Sequence, residues 1–456
     1  MELLPAAIRS RAMTTIPRPP GPKNVDALII YVDFMSDPLR FFTDMAQRYG
    51  DFVYFRLGFE NYEITDPRAI EQVLVTKSDS FTKDAMTHEL EDLVGHGLLT
   101  SEGELWKRQR RLAAPALQRK HIASYAETMV AYTETMVDGW ANGDVRDVHK
   151  DLMELTLRIV VKTLFNVEID EQVAEIGHAI EVAMEIFHQR VHTLWRFVPE
   201  RIPTPSRRRY SVALDSLDEV IYGLIARRRE SNAPGNDLLY RLLQAADEDG
   251  NSMSDRQLRD EAITMFLAGH ETTALAVSYA WYLLTRHPES AQRLHEEVDA
   301  VLGDRSAGVD DVASLEYTKA VILETMRLYP PAWIIGREAS RDVIIGDWLI
   351  PKGAQVLMPQ YVMHRDIRWF SEPDTFLPER WLDGLEKRLP RYVYFPFGGG
   401  TRVCIGTHFA MMEAILLVAA MAQKTRLHAM SRKQLQFQPS VTLRPASPIK
   451  LRVERR

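Results

Sequence analysis

The chain has 456 residues, of which 46% are hydrophobic and 26% are charged, and its formal net charge is −7. This is the composition of a globular protein with a large buried core, which excludes an intrinsically disordered chain. The negative charge argues against a nucleic-acid-binding protein, because the basic runs at 207–209 and 227–229 are isolated and typical of solvated helix faces.

The first residues give no sign of a targeting segment. Residues 1–22 contain no apolar run near the roughly 20 residues that a membrane span needs, and no secretory leader, so we expect no membrane anchor. The one cysteine excludes an intrachain disulfide, which makes a reducing cytoplasm the expected location. Because no linker or repeat divides the chain, we predict a proline-rich extended lead-in over 1–22 and a single domain over 23–456.

Short strands are predicted in two places. Alternating apolar residues around Gly58 predict a hairpin within 51–65. A second strand-turn-strand pattern lies within 343–360, interrupted by Gly346 and by Pro351-Lys352-Gly353. Most of 100–330 has apolar residues at helical spacing. The predicted fold class is mainly α with small β-sheets (α+β).

One helix is predicted to be much longer than the others. It begins after Ser254, which forms a capping box with Gln257, and runs to the residue before Pro288. About 33 residues at ~1.5 Å each would cross an entire domain. The segment from Ile263 to Ala276 is apolar on most sides, which predicts a central buried helix.

The lone cysteine, Cys404, lies in a glycine-rich segment at 395–406 that precedes an apolar helical pattern from His408 to Met421. Glycines let backbone N–H groups point at one atom, and a helix N-terminus adds partial positive charge, so both features favour a thiolate. Such a thiolate is a nucleophile or a metal ligand. A single sulfur argues against structural zinc and excludes an iron–sulfur cluster held by this chain, which leaves haem. By residue type alone, a lone cysteine is more often a small buried hydrophobe.

The segment Phe397-x-x-Gly400-x-Arg402-x-Cys404-x-Gly406 resembles the haem-binding signature of the cytochrome P-450 superfamily at all five fixed positions. The resemblance implies that Cys404 is the axial ligand of the iron of haem b, that Phe397 packs beside the sulfur, and that Arg402 pairs with a haem propionate. It implies the family's fold, with the long helix over the haem. The glycines of the cofactor-binding loop would be Gly398, Gly400 and Gly406.

The long helix carries the sequence AGHETT at 268–273, which is similar to the family's oxygen-activation motif. The resemblance implies that Glu271 and Thr272 are catalytic and deliver protons, while Ala268 and Gly269 leave room for dioxygen at the haem. The alternative is that the threonine hydroxyls bond to the carbonyl four residues back. We interpret the histidine of the motif as structural, because adjacent helical positions point about 100° apart.

Two other arrangements resemble family motifs. Glu324 and Arg327, with Arg380 from a later proline-containing segment, would form a buried structural triad, although Glu-x-x-Arg alone is typical of any surface ion pair.

A second set concerns the propionates. Trp106 and Arg110 match a Trp-x-x-x-Arg helix whose side chains reach a haem propionate, and Arg337 matches a third position of this kind. For Arg337 the alternative is a solvated loop arginine.

The resemblance implies a haem-thiolate monooxygenase that inserts one atom of dioxygen into a hydrophobic substrate. Electrons would come from a separate ferredoxin and ferredoxin reductase, or from a flavodoxin-type donor, and we expect no bound flavin or nicotinamide in this chain. The alternatives are a peroxide-driven peroxygenase and a non-catalytic haem protein, and the Glu271–Thr272 pair argues against both. A candidate docking cluster for an acidic partner consists of Arg108, Arg111, Arg119 and Lys120.

The substrate pocket is expected in four segments, 84–99, 183–198, 330–335 and 439–443, which are apolar as ligand pockets usually are. The alternative for each of these side chains is core packing. The AGHETT motif resembles that of soluble fatty-acid hydroxylases and favours fatty acids slightly, with terpenoids and steroids open. The candidate pocket residues are Met184, Phe187, Trp195, Trp333 and Ile334.

Overall fold

Helices dominate the fold, as predicted. The computed structural model describes residues 18–23, 27–166, 170–192, 204–231, 235, 237–247 and 250–456. None of the helices in these ranges is both long and apolar enough to cross a membrane. The α-helices, in chain order, are α1 (Ala27–Ser36), α2 (Pro38–Tyr49), α3 (Pro67–Glu71), α4 (Ala85–His88), α5 (Glu91–Val94), α6 (Gly103–Ala113), α7 (Arg119–Ile122), α8 (Ala126–Asp138), α9 (Val148–Phe165), α10 (Asp170–His192), α11 (Pro205–Glu230), α12 (Leu238–Gln244), α13 (Asp255–Leu284), α14 (Pro288–Leu302), α15 (Glu316–Leu328), α16 (Gln360–Met363), α17 (Leu385–Arg388) and α18 (Thr407–Lys424).

The strands form small sheets around the helices. The largest has the order β1-β2-β8-β5-β3, a three-stranded sheet has the order β4-β12-β9, and β6-β7 and β10-β11 are hairpins. The strands are β1 (Phe52–Leu57), β2 (Phe59–Ile64), β3 (Phe81–Thr82), β4 (Val145–Asp147), β5 (Ile335–Ala339), β6 (Val343–Ile345), β7 (Trp348–Ile350), β8 (Gln355–Met358), β9 (Thr425–Ala429), β10 (Phe437–Pro439), β11 (Leu443–Pro445) and β12 (Lys450–Arg455).

Both predicted strand regions are confirmed. The β1–β2 hairpin turns at Gly58, whose φ of +74° is readily adopted only by glycine. In the second region, β6 and β7 pair across Gly346 with φ +54°, whereas β8 leaves the hairpin and joins β2 in parallel. The described lead-in residues 18–23 contain neither helix nor strand.

The long helix α13 begins as predicted and ends earlier than predicted. Ser254 caps it, with Gln257 N donating to Ser254 Oγ at 3.2 Å and Ser254 N donating to Gln257 Oε1 at 3.0 Å. It was expected to reach the residue before Pro288, but it stops at Leu284 after 30 residues. After Leu284 the chain turns more tightly, with Arg286 N donating to Leu283 O at 3.0 Å and His287 N to Leu284 O at 3.1 Å. Pro288 starts α14, and its ring keeps only the preceding residue out of the helical region.

The middle of α13 is buried by its neighbours α9, α11, α15 and α18. Every residue from Ile263 to Leu284 is buried except Ala268, Gly269 and Thr272. These three lie at i, i+1 and i+4, which places them on one side of the helix. A buried helix therefore exposes one short face to a cleft.

The side chains of Glu324, Arg327 and Arg380 meet at helix α15, which packs against α13. Arg327 donates to both carboxylate oxygens of Glu324 at 2.8 Å, and Arg380 Nε donates to Glu324 Oε1 at 3.0 Å. Trp381 Nε1 also donates to Glu324 at 2.8 Å. The Glu324 and Arg327 side chains are 0% exposed, and the remaining Arg327 donors reach backbone carbonyls, including that of His364 at 2.8 Å. The cluster joins α15 to the loops that lead to Cys404.

We predict that Arg327→Met destabilises the protein by about 3–5 kcal/mol, because it leaves a buried carboxylate without its main partner. The control is Lys107→Met, which breaks the exposed Glu104–Lys107 pair of the same i,i+3 spacing and should cost under ~1 kcal/mol. Urea unfolding followed by circular dichroism measures both. Equal losses of unfolding free energy in the two variants would show that the buried cluster contributes no more to stability than an exposed ion pair.

Candidate functional site

The loop before Cys404 is shaped by glycines. Gly398 and Gly400 have φ of +71° and +64°, and a Cβ on Gly400 would lie 1.8 Å from the carbonyl oxygen of Leu74. No other residue fits there without moving the backbone. Cys404 N donates to Phe397 O at 2.9 Å, which closes the loop just before α18. The loop therefore holds Cys404 in a fixed position at the start of that helix.

The Cys404 residue is accessible although the surrounding chain packs closely around it. Burial raises the pKa of the thiol, and this outweighs the lowering by Gly406 N–H, the Thr407 hydroxyl and the Arg110 charge. The sequence analysis named the groups that favour a thiolate and did not predict the opposing effect of burial. Those groups act in the expected direction, but desolvation by the surrounding chain is larger.

The small residues of α13 have separate surroundings. Ala268 is exposed to the cleft. A Cβ on Gly269 would lie 3.1 Å from Val160 Cγ2 of α9, so this glycine also permits the close packing of the two helices. The prediction for Gly269 considered only space for a ligand.

The threonine hydroxyls of the motif bond along the helix. Thr272 Oγ1 donates to Ala268 O at 2.8 Å, and Thr273 Oγ1 donates to Gly269 O at 3.4 Å. This is the alternative that the sequence left open. Thr272 still faces the cleft and keeps acceptor capacity on its oxygen, whereas Thr273 is buried.

Glu271 is buried and paired with residues that the sequence analysis missed. Its Oε1 accepts from Arg444 Nε and, at 2.8 Å, from Thr442 Oγ1. Burial raises the pKa of Glu271, but the charge and hydrogen bond of Arg444 outweigh burial, and the net pKa is below its usual value. The neighbouring His270 bonds through Nδ1 to Phe266 O at 2.6 Å, which agrees with a structural interpretation.

A cluster of cations lies near the Cys404 loop. Arg402 donates to Ser101 O at 2.9 Å and to the Glu102 carboxylate, and its guanidinium lies 4.0 Å from the centre of the Trp106 ring. Nη1 of Arg402 is buried and has no hydrogen-bond partner among the described residues. Burial lowers the pKa of Arg402 to about 10.

The other cations of this cluster are also desolvated. Arg337 is 9% exposed and donates to Gly336 O at 2.7 Å. Burial lowers the pKa of Arg337 and of Arg110, and burial with the charges of Arg337 and Arg402 lowers the pKa of Lys83 to about 7. The cations outnumber the nearby carboxylates, Asp84 and Glu102. Such an arrangement is suited to an additional anionic group.

The predicted pocket residues separate into two groups. Met184 and Phe187 are buried within the main hydrophobic core, so the core-packing alternative describes their position, and Trp195 lies outside the described residues. Trp333 and Ile334 border a cavity of about 120 Å³ that is walled mainly by apolar side chains. Trp333 itself is 4% exposed, and its Nε1 donates to Ser440 O at 2.8 Å.

The residues missed by sequence reasoning are partners across long separations. Arg444 and Thr442 contact Glu271 from more than 170 positions away, and Lys83 and Glu102 join the Arg402 cluster. Thr442 lies within 439–443, a segment that was predicted to line the substrate pocket, but its contact with Glu271 was not predicted. Nothing in the sequence singled out Arg444.

We predict that Arg444→Gln raises the pKa of Glu271 and leaves it protonated at neutral pH, because burial is then no longer offset by the arginine charge. The pH dependence that this group contributes to the free energy of unfolding should therefore reverse its sign in the variant. In the wild type this carboxylate stabilises the fold above its usual pKa and loses that effect as pH falls, whereas in the variant stability should fall as pH rises. Infrared difference spectra should show a new carboxylic-acid C=O band that is absent in Arg444→Gln/Glu271→Gln.

Arg444→Lys, which keeps the charge, should show little of this band, and Arg452→Gln on β12 serves as the exposed control. A spectrum of Arg444→Gln without a new acid band would show that Arg444 does not hold Glu271 ionised.

Comparison with known proteins identifies the family. The Cytochrome P450 family model matches residues 19–453. Cyclooctatin synthase and cyclooctat-9-en-7-ol 5-monooxygenase of Streptomyces melanosporofaciens are 36% and 34% identical, over 91% and 86% of this chain and 90% and 85% of theirs. Pentalenene oxygenase of Streptomyces avermitilis is 33% identical over 86% of this chain and 87% of its own. The crystal structure of the cytochrome P450DA heme domain superposes with a TM-score of 0.88 at 26% identity, covering 97% of this chain and 99% of that one. The chain belongs to the cytochrome P450 family and is an oxidoreductase of the monooxygenase type.

Proposed function

We propose that this protein oxygenates a terpenoid hydrocarbon or alcohol, using dioxygen and electrons from a separate redox protein, in the cytoplasm. The haem-thiolate cofactor follows from the family. The observation that carries the proposal is the pairing of an accessible Cys404 sulfur with a group of buried, under-compensated cations.

The residues present fit a haem. Cys404 would be the axial ligand, and the free Nη1 of Arg402 is a donor suited to a propionate. Arg337, Arg110 and Trp106 would complete the propionate site, since two carboxylates would offset cations that the chain itself leaves in excess. Gly398, Gly400 and Gly406 keep the loop free of side chains. Phe397 would pack near the sulfur that its carbonyl already helps to position.

A haem held by a thiolate supplies the activation of dioxygen through which one oxygen atom enters the substrate. We assign proton delivery to Glu271 and Thr272. Thr272 Oγ1 lies at the cleft and can accept a proton while it donates to Ala268 O. Arg444 and Thr442 orient the Glu271 carboxylate and hold it ionised. Ala268 and Gly269 keep the adjacent helix face small enough for a ligand.

The substrate class is taken from the relatives and from the cavity. The names of three relatives specify cyclooctatin, cyclooctat-9-en-7-ol and pentalenene, which are terpenoids. The cavity beside Trp333 and Ile334 is mainly apolar, as such substrates require. We therefore place terpenoids ahead of the fatty acids that the AGHETT motif favoured.

A ferredoxin with its reductase, or a flavodoxin-type donor, is the proposed electron source, without a flavin or nicotinamide bound to this chain. Of the four candidate docking residues, Arg108 is held by Asp247 at 2.7 Å and by two backbone carbonyls. Arg119 and Lys120 are exposed on α7, which packs on α18, the helix that follows Cys404. We place the acidic partner at Arg119 and Lys120.

We expect the reduced carbon monoxide complex of the wild type to show a strongly red-shifted Soret band, because the iron would carry a thiolate ligand. Cys404→His should lose this band. A wild type that binds no haem, or that shows an imidazole-like band, would contradict the assignment of Cys404.

The same two proteins test the reaction. With ferredoxin, reductase and pentalenene, the wild type should form oxygenated product by mass spectrometry, and Cys404→His should not. Product that forms with hydrogen peroxide alone and gains nothing from the reductase would favour a peroxygenase.

For docking, we predict that Arg119→Gln/Lys120→Gln lowers the second-order rate of reduction by an acidic ferredoxin roughly tenfold at low salt. The difference should shrink at high salt, where surface charges are screened. Stopped-flow reduction of the haem measures the rate. Arg208→Gln, an exposed change on α11, is the control, and equal rates in all three proteins would place the docking surface elsewhere.

A further inference from the structure

A cavity of about 120 Å³, here called the entry cavity, lies between α1, α2, α4, the largest sheet and the β10–β11 hairpin. Its walls include Phe34, Phe42, Met86, Trp333 and Leu357. This volume is below the roughly 300 Å³ of a complete ligand pocket, so the cavity would hold one part of a ligand. Among the described residues that line it, Asp84 has the only ionisable side chain.

We propose that the entry cavity accepts uncharged apolar ligands and rejects carboxylates, with Asp84 as the residue that determines this specificity. The inference rests on the proposed function, because it assigns to one residue the selectivity for the uncharged terpenoids proposed as substrates of the same site. A linear fatty acid has a similar apolar surface and differs mainly in its charge.

Asp84 is held in place at the cavity wall. Its carboxylate accepts from the Thr87 hydroxyl, and Ala85 N donates to Gln355 Oε1 at 3.2 Å, which fixes α4 on the sheet. A Cβ on Gly336 would lie 2.5 Å from Asp84 Cγ, so only the absence of a side chain at 336 lets the carboxyl group lie on β5. The charge is therefore part of the wall and not a mobile surface group.

No lining residue of the described chain offers a cation to a ligand carboxylate. Lys83 and Arg337 approach Asp84 from outside the lining, and Arg337 donates to Gly336 O at 2.7 Å. The Arg337 charge is also shared with Glu102. In the haem-loaded protein the propionates proposed for the Arg402 cluster would offset the charges of Lys83 and Arg337. A ligand carboxylate in the cavity would then lose water among apolar walls and face Asp84 as the nearest charge, and both effects are unfavourable.

A second carboxyl group lies close behind the wall. Glu63 on β2 pairs with Leu357 on β8, which pairs with Gly336 on β5, and residues paired across strands share one face of a sheet. Leu357 and Gly336 line the cavity. Both Glu63 oxygens are buried without a hydrogen-bond partner in the described ranges, and burial raises its pKa well above the usual value. Because a raised pKa favours the neutral acid, Glu63 offers no positive charge to a ligand carboxylate.

One short hairpin connects the wall of the cavity to a candidate catalytic residue. Pro439, Ser440 and Val441 line it, and the next residue, Thr442, donates to Glu271 at 2.8 Å. The cavity wall and the hydrogen-bond partner of Glu271 are therefore adjacent in the chain.

The experiment measures binding to the haem-loaded protein by equilibrium dialysis, which needs no turnover. The probes are geranylgeraniol, geranylgeranoic acid and the methyl ester of that acid, which share one diterpene skeleton and differ in charge. At a pH where the acid is ionised, the wild type should bind the alcohol and the ester roughly tenfold more tightly than the acid. Asp84→Asn, which keeps size and hydrogen bonding, should reduce this ratio to about threefold or less, and Asp84→Lys should reverse it.

Asp79→Asn, a change at an exposed carboxylate outside the cavity, should leave the ratio at its wild-type value. Equal binding of acid and ester by the wild type overturns the inference without any variant, as does an unchanged ratio in an Asp84→Asn protein with a normal carbon monoxide spectrum. If the acid binds as tightly as the alcohol and the ester while pentalenene is still oxygenated, only the role of Asp84 is wrong. If neither the alcohol nor the ester binds and no terpene is oxygenated, the proposed function fails as well.

Discussion

Burial of the central helix α13 is the constraint on which the remaining structure depends. A polar side chain on a helix packed on nearly all sides must find a partner inside the protein or carry a desolvation cost. Asp260 accepts from His96 N at 3.0 Å and from Arg259 at 3.0 Å, and His270 uses a carbonyl of its own helix. Glu271 requires a cation, and Arg444 supplies it. The one interruption of this burial, at Ala268, Gly269 and Thr272, is the cleft face on which the proposed chemistry takes place.

The cations near the Cys404 loop differ from these groups, because they are buried without a full set of partners. Glu324 is matched by two arginines and a tryptophan, so the cluster around it is complete within the chain. Arg402 and Arg337 are also desolvated, although less completely than Glu324 and Arg327, and they are matched less well. A buried charge without a full set of partners costs several kcal/mol. The difference between a satisfied cluster and an unsatisfied one supports the proposal that the second binds an anionic cofactor.

Local signals in the sequence predicted the local features, and non-local packing determined the rest. The start of α13 depends on Ser254 and Gln257 alone, so it was predictable, and so was the hairpin at Gly58. The end of α13 was placed too late, because Pro288 marks only the last residue that can be helical, and the tighter turn before it left no pattern in the sequence. The rise in the pKa of Cys404 on burial was not predicted, since burial by distant parts of the chain cannot be read from its neighbours in sequence. The same limit hid Arg444, whose contact with Glu271 joins two ends of the fold.

The β10–β11 hairpin links these features in space. Its turn is closed by Ser440 N donating to Thr442 O at 2.9 Å, and Leu443 N donates to Pro331 O at 2.9 Å, so the hairpin is fixed to the segment that carries Trp333. One side of it walls the entry cavity, and the other holds the Glu271 carboxylate. The same short hairpin therefore supplies part of the wall of the proposed substrate cavity and the two groups that bind the Glu271 carboxylate, which joins the proposed specificity to the proposed proton delivery within a few residues.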